Sequence, residues 1–427
     1  MKNVISTDKA PAAIGPYSQA IEVNGMVYTS GVIPVVPETG EIPEGSQAQA
    51  KQAFTNLSHL LEAAGTSMDN VVKTTVFIKE MNDSCANPNN MSVRRISVKV
   101  KKAIGKCLLV LLCIVVILAI IVAAQFYHRS DPKNLKQYDT ENPFITGKTT
   151  ISAHRSGAGD FPEETLAAFR GCAENPDVQV DYFEFDLHMT ADDILVLSHD
   201  ATLDRVSDAV TVFGAENMLV RDKTLAELKD LNIAAQFVND AGETPYTDLH
   251  GDAVPDELRI LSLDEVLDYL TSAGDYRYII EIKDGGEVGL AAADQLYATL
   301  NERNLLDRVI VGSFRDEVAD YITANYPDMH RSASPAEVVQ FYFAALTGKT
   351  DFTCSYDVLQ LPFGDAESSF GINLGTTTVI NFAHAHDLAI QYWTVNAEED
   401  MAYLASVGAD ALITDYPDRA AQVLHTR

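Results

Sequence analysis

Tyr182-Phe183-Glu184-Phe185-Asp186-Leu187 decides how this chain is read. Its strict alternation puts two carboxylates on one face of a strand and Phe183, Phe185 and Leu187 on the other. The run lies in a region that alternates strand and helix from residue 149 onward. Strand patterns fall at 150–154, 182–188, 278–283, 309–314, 330–334, 358–362, 389–395 and 411–414. Helical periods fall between them, among others at 165–173, 263–271, 288–301 and 397–407. Eight strands in roughly 275 residues predict a (β/α)8 TIM barrel. A doubly wound open sheet is the alternative, but no Gly-rich turn follows the first strand. A barrel strand buries both faces, so Glu184 and Asp186 would be costly inside without a cation or hydrogen bonds.

Chemistry-bearing residues collect where a barrel keeps its active site, at the C-terminal ends of strands. His154 and Arg155 end the first strand, and Glu281 and Lys283 end the third. His199 closes a second apolar run, Ile194 to Ser198. Two imidazoles beside three carboxylates suit metal-assisted attack on a phosphate ester, with the histidines moving protons and the cation stabilising oxyanion charge. The other eight histidines, His59, His128, His188, His250, His330, His384, His386 and His425, have no carboxylate partner placed by strand geometry. His384 and His386 lie in an expected helix over 379–387, where a spacing of two faces different ways.

Charge divides the 427 residues sharply: −4 over 1–83, +7 over 84–133 and −33 over 134–427. So acidic a large block repels nucleic acid and anionic lipid. The five cysteines give no framework; a Cys172–Cys354 disulfide and two buried thiols both fit.

The run from Cys107 to Ala124 is 18 apolar residues without charge, Pro or Gly. As a helix it spans about 27 Å, close to the hydrocarbon thickness of a bilayer. Six basic residues from Arg94 to Lys106 precede it, and only Arg129 and Lys133 follow closely. The positive-inside bias predicts a transmembrane helix at 104–126 with a cytoplasmic N-terminus and an extracytoplasmic barrel at the cell membrane, favoured over a cleaved signal ending at Ala124. A basic polar linker at 84–103 and a second linker at 127–148 flank the helix.

Ile14-Gly15-Pro16-Tyr17-Ser18-Gln19-Ala20, Val27-Tyr28-Thr29-Ser30-Gly31, a helical stretch at 47–64 and a strand pattern at 71–79 make residues 1–83 resemble the RidA (YjgF) family of imine and enamine deaminases. The resemblance implies a small α+β domain, a homotrimer with sites between subunits, and an active-site role for Tyr17. It ends at Asp83, without the family's last third and its carboxylate-clamping arginine, so the segment is read as a truncated fragment, with deaminase activity the last-ranked alternative. Met91-Ser92-Val93-Arg94-Arg95 reads as a natural start for a basic, membrane-targeted protein.

Residues 149–425 resemble the glycerophosphodiester phosphodiesterase family. The matching strings are His154-Arg155-Ser156-Gly157, Pro162-Glu163-Glu164-Thr165, Glu184-Phe185-Asp186-Leu187, Ser198-His199-Asp200 through Arg205, Glu281-Ile282-Lys283, Trp393-Thr394-Val395-Asn396 and Thr414-Asp415-Tyr416-Pro417. The resemblance implies that His154 and His199 are the acid/base pair and that Glu184, Asp186 and Glu281 ligate one divalent cation. Oxygen-only ligation suits Mg²⁺ or Ca²⁺. Arg155 and Lys283 would bind the phosphate, and Trp393, the only tryptophan, would wall the glycerol or its neighbouring group. The implied reaction releases glycerol 3-phosphate and an alcohol; a sphingomyelinase D-like phospholipase on a similar barrel is the competing reading. Glu164 replaces the family's usual asparagine and Ser156 a usual glycine, and the loop 202–260 is long and acidic. Glu164 is expected to point away from the site or to act behind its ligands.

Overall fold

The structure is a computed structural model, and it describes residues 2–75 and 128–425 apart from 177, 365–368 and 370. The chain falls into two compact units, each with its own core.

In the first unit β1 (Lys2–Ile5), β2 (Ala20–Val23) and β3 (Met26–Thr29) form an antiparallel sheet. Asn24 and Gly25 both sit at positive φ in the β2–β3 turn, the requirement of a tight hairpin. Helix α1 (Ser46–Ala63) contributes Leu60 to a small core with Ile5 and Ala20. Its buried Asn56 donates to the carbonyls of Ile33 and Val35. The strand expected at 71–79 is not seen over 71–75, and its remainder lies outside the described residues.

The second unit is built on a parallel sheet in the order β8, β7, β5, β4, β11, β10, β9. These strands are β4 (Thr150–Ala153), β5 (Tyr182–Met189), β7 (Arg277–Ile282), β8 (Val309–Gly312), β9 (Val358–Pro362), β10 (Ala389–Trp393) and β11 (Ala411–Thr414). Arg331 and Ser332 close the ring as the eighth stave, bridging to Val311 on one side and Val358 on the other. Every strand position in the sequence pattern is therefore filled. Only single bridges mark the stave expected at 330–334, where His330 lies 3.1 Å from Asp357 and Ser334 immediately precedes the helix Pro335–Thr347.

Alternation along the strands does the sorting. Tyr182, Ile279, Ile310, Val358, Ala389 and Ile413 fill the barrel interior with Phe144, while Phe183, Phe185, Leu187, Tyr278 and Ile280 face the helices. Each such side chain contributes about 1.5–3 kcal/mol of burial. Above β5 the chain turns back as β6 (Leu195–Leu197), antiparallel to β5, and opens the long insertion. That insertion has its own core, with Leu203, Val220, Leu228, Leu231 and Ile260.

No helix among the described residues is long and apolar enough to cross a membrane, and the helix expected at 104–126 lies outside them. Cys172 and Cys354 are free thiols, Cys172 buried and Cys354 exposed, so the disulfide alternative does not hold.

Candidate active site

The rim formed by the ends of β4, β5, β7 and β11 gathers two histidines, each held by an aspartate. Asp415, just past β11, lies 2.6 Å from Nδ1 of His154. Its other oxygen accepts from Asn396 at 2.6 Å, and the Asn396 side-chain carbonyl accepts from the Asp415 amide at 3.0 Å. Asp200 lies 2.7 Å from Nδ1 of His199, and its second oxygen accepts from Nε of Arg205 at 2.6 Å. The rest of the Arg205 fork takes both oxygens of Glu163 at 2.7 and 2.8 Å. Each imidazole thus has Nδ1 committed to a carboxylate, which leaves Nε2 for chemistry.

The two imidazoles differ electrically. Burial pulls the His154 pKa down, but Glu184 and Asp415 outweigh it and the net shift is upward. For His199 burial again acts downward, Arg155 and Lys283 add to it against Asp186, and the net shift is downward. The two shifts are opposite in sign, which makes His154 the more basic imidazole of the pair.

The carboxylates lie between the histidines. The Arg155 amide donates to Glu184 at 2.7 Å, and Lys283 Nζ stands 3.4 Å from Asp186 and 3.1 Å from Glu281. Burial, then repulsion from Asp186, pushes both Glu184 and Glu281 well above the usual carboxylate range. Lys283 is shifted up because Asp186 and Glu281 outweigh its burial. The expected metal set is therefore brought to one place with Lys283 among its members. Among the described residues no group of three or more His, Cys, Asp and Glu side chains is arranged to hold a metal ion as it stands. One carboxylate oxygen of the set, Asp186 Oδ2, is left without a hydrogen bond. It and Arg155 Nε, also buried without a partner, face each other at 3.8 Å, too far for a bond. An oxygen-only donor set with an unpartnered anionic oxygen fits a hard divalent cation.

Trp393 sits on the same rim, donating from Nε1 to the Gln360 carbonyl and packing edge-on to Phe314 at 5.9 Å. Phe314 in turn lies under Lys283 Nζ at 5.9 Å. The main chain around His154 is strained, with Arg155 at φ 45° and Ser156 at φ 66°, the left-handed region glycine occupies more readily. Glu164 does not point away. It is buried behind Asp186, whose amide donates to it at 2.7 Å, and burial and Asp186 hold its pKa well above the ordinary value.

Asp415, Asp200 and the Glu163–Arg205 fork were not singled out from sequence. Asp415 directly follows a strand pattern, the position that places a residue on the active rim. Of the eight histidines without a carboxylate partner placed by strand geometry, four meet one in the folded chain: His188 with Asp284 at 2.6 Å, His384 with Asp410 at 3.0 Å, His330 with Asp357 at 3.1 Å and His250 with Asp208 at 3.3 Å. These partners come from loops and neighbouring strands that the alternation of one strand does not reveal.

Barrel, paired histidines and clustered carboxylates define a phosphoric diester hydrolase. The profile described as the glycerophosphoryl diester phosphodiesterase family matches residues 154–419, and the chain belongs to that family. The barrel is similar in fold to a Silicibacter pomeroyi protein assigned to the glycerophosphoryl diester phosphodiesterases, at 21% identity and a TM-score of 0.50, covering 70% of this chain and 98% of that one. It is similar also to the glycerophosphoryl diester phosphodiesterase domain of an uncharacterised Mycobacterium tuberculosis protein, at 20% identity and a TM-score of 0.50, covering 64% and 98%.

The N-terminal segment carries a second match. The profile described as endoribonuclease L-PSP covers residues 7–101, running past Asp83, where the resemblance was expected to end. A RutC family protein of Pasteurella multocida is 54% identical over 86 residues, which are 20% of this chain and 67% of that protein. The 2-iminobutanoate/2-iminopropanoate deaminase of Escherichia coli is 51% identical over 83 residues, 19% and 65%. The chain spans about two thirds of the length of these curated relatives.

Proposed function

We propose that the barrel hydrolyses glycerophosphodiesters to glycerol 3-phosphate and an alcohol, with His199 as general base and His154 as general acid. The observation that carries this reading is the pair of aspartate-held imidazoles flanking Glu184, Asp186 and Glu281 on one rim. His199 takes at Nε2 the proton of the nucleophile, either a water, which gives glycerol 3-phosphate directly, or the glycerol 2-hydroxyl, which displaces the alcohol to form a cyclic phosphate that a water then opens to the same product. His154 gives its Nε2 proton to the departing alcohol oxygen. Each transfer contributes roughly 10²–10⁴ in rate. Arg155 and Lys283 set a guanidinium and an ammonium against the phosphate oxygens, and Trp393 walls the group beside it.

Glu184, Asp186 and Glu281 would hold one Mg²⁺ or Ca²⁺, which when bound polarises a phosphoryl oxygen as a Lewis acid. Of the two competing substrates, an intact phospholipid and a glycerophosphodiester, release of glycerol 3-phosphate from glycerophosphocholine by the purified chain, dependent on a divalent cation, identifies the second.

The chain is further read as a single-pass membrane protein, with domains at 1–83, 84–103, 104–126, 127–148 and 149–427 and with the barrel extracytoplasmic. The basic residues ahead of the 18-residue apolar run support that orientation. Imine or enamine deaminase activity of the N-terminal unit is the weaker alternative reading, since residues 1–83 hold no arginine to pair with a substrate carboxylate. A homotrimer would follow only from assembly of that unit.

A further inference from the structure

The segment that joins the apolar run to the barrel is fixed at the active-site end of the barrel. In an α/β barrel the helices begin where the strands end, so the first turns of the helices and the loops after the strands share the rim with the active site. The Asn373 amide, in the loop after β9, donates to the His128 carbonyl. Arg129 pairs with Asp400 at 2.6 Å and donates to the Glu399 carbonyl at 2.9 Å, both in the first turn of the helix Glu398–Ser406. The Ser130 amide donates to Tyr403 at 2.8 Å, and Ser130 accepts from the amide of Thr377, first residue of the helix Thr377–Ala385. The chain then descends: Asn381 bonds Asn134 and Lys136, and Asn142 donates to the carbonyls of Asp357 and Asp387, ahead of β9 and β10 at the opposite end. It enters β4 from there.

His128 is four residues beyond Ala124, the last of the 18 apolar residues. Four fully extended residues reach about 14 Å. The polar layer on one side of a bilayer is about 5–8 Å deep. On the span reading, so short a lead keeps the tethered rim within about 14 Å of the hydrocarbon edge. The opposite tether, at the far end of the barrel, would have turned the site away.

We infer that the active site works on the bilayer surface and takes phosphodiesters that reside there, glycerophosphodiesters carrying an acyl chain, in preference to water-soluble ones. This rests on the phosphodiesterase and membrane-span readings and narrows the substrate class they leave open. Two further features agree. Phe314 is 56% exposed on this rim, edge-on to Trp393 and beneath the Lys283 ammonium, so an apolar surface lies beside the groups that face a phosphate. The barrel block, at −33, disfavours an anionic membrane, which points to zwitterionic lipid.

The test uses the full chain reconstituted in phosphatidylcholine vesicles with Mg²⁺ or Ca²⁺, given either a lysophospholipid in the vesicle or glycerophosphocholine in the water. A second protein carries a flexible Gly/Ser insertion after Tyr127, beyond the span at 104–126, which frees the barrel from the surface and leaves the contacts of His128, Arg129 and Ser130 in place. The wild-type chain is expected to favour the lysophospholipid by roughly tenfold or more, and the insertion to collapse that ratio while the rate on glycerophosphocholine holds, because the gain is one of effective concentration. Preference for the soluble diester, or a ratio the insertion does not move, overturns the inference and leaves the phosphodiesterase reading intact. Loss of the protein from vesicles on carbonate washing overturns it through the span. No hydrolysis of either diester overturns it together with the proposed function.

Discussion

Replacing Asp415 by Asn tests the histidine assignment at its most sensitive point. Asp415 Oδ1 is 2.6 Å from His154 Nδ1, and Asn396 fixes the carboxylate from behind with its amide on Oδ2. An asparagine here keeps its oxygen toward Asn396 and turns its NH₂ to Nδ1. That makes Nδ1 an acceptor and disfavours the imidazolium form that a general acid requires. A hydrogen bond to a charged group contributes about 1.5–3 kcal/mol, which at about 1.4 kcal/mol per decade is a factor of roughly 10–100 from positioning alone. Both effects act through His154 and overlap, so the loss stays within the usual 10²–10⁴ for proton transfer and is not the product of the two. Asp415→Asn is therefore expected to lower kcat on glycerophosphocholine by about 10²–10³ with KM little changed. Because Asp415 helps raise the His154 pKa, the alkaline limb of the rate profile should also move to lower pH. Combined with His154→Gln it should cost no more than His154→Gln alone, since both remove one function. A loss below about threefold, or full additivity in the double variant, would refute the reasoning.

Arg205→Ala frees Asp200 and Glu163 together, and kcat should fall roughly tenfold, with guanidinium in the assay restoring part of it; unchanged kcat would separate Arg205 from His199. Ser156→Gly relieves a left-handed serine whose buried hydroxyl has no partner among the described residues, and should raise unfolding stability by about 1–2 kcal/mol in a denaturant titration. Asp160 is lifted to about 6 by burial and by Asp418 and Asp240. The folded state thus holds a proton the unfolded chain releases, and stability falls as pH rises from about 4 to 6 and stays lower above. After allowance for exposure that loss is about 1 kcal/mol, so Asp160→Asn should raise Tm at pH 7 and leave it unchanged at pH 4.

The barrel was legible in this sequence because its strands obey a simple rule. Phe183, Phe185 and Leu187 must meet helices, and Glu184 and Asp186 must then point inward, whatever the loops do. The same rule placed His154, Glu281 and Lys283 on one rim. His199 was found through its motif rather than the barrel, since it follows β6 at the start of the insertion. The partners that tune these groups were not legible. Asp415 and Asn396 reach His154 across more than two hundred residues of sequence, and Glu163 meets Arg205 only because the insertion folds over the rim. For Glu164 the sequence left two positions open, away from the site or behind its ligands, and the structure takes the second. A charge beside an anionic substrate looks unfavourable in sequence, but here it accepts the Asp186 amide and fixes a carboxylate from behind.

The most direct measurement is cation-dependent release of glycerol 3-phosphate from glycerophosphocholine by the purified chain and by its His154→Gln/His199→Gln variant. The account predicts turnover in the first and its loss, by about 10⁴ or more, in the second. Undiminished release by the variant, or none by the parent with Mg²⁺ or Ca²⁺ present, would contradict it.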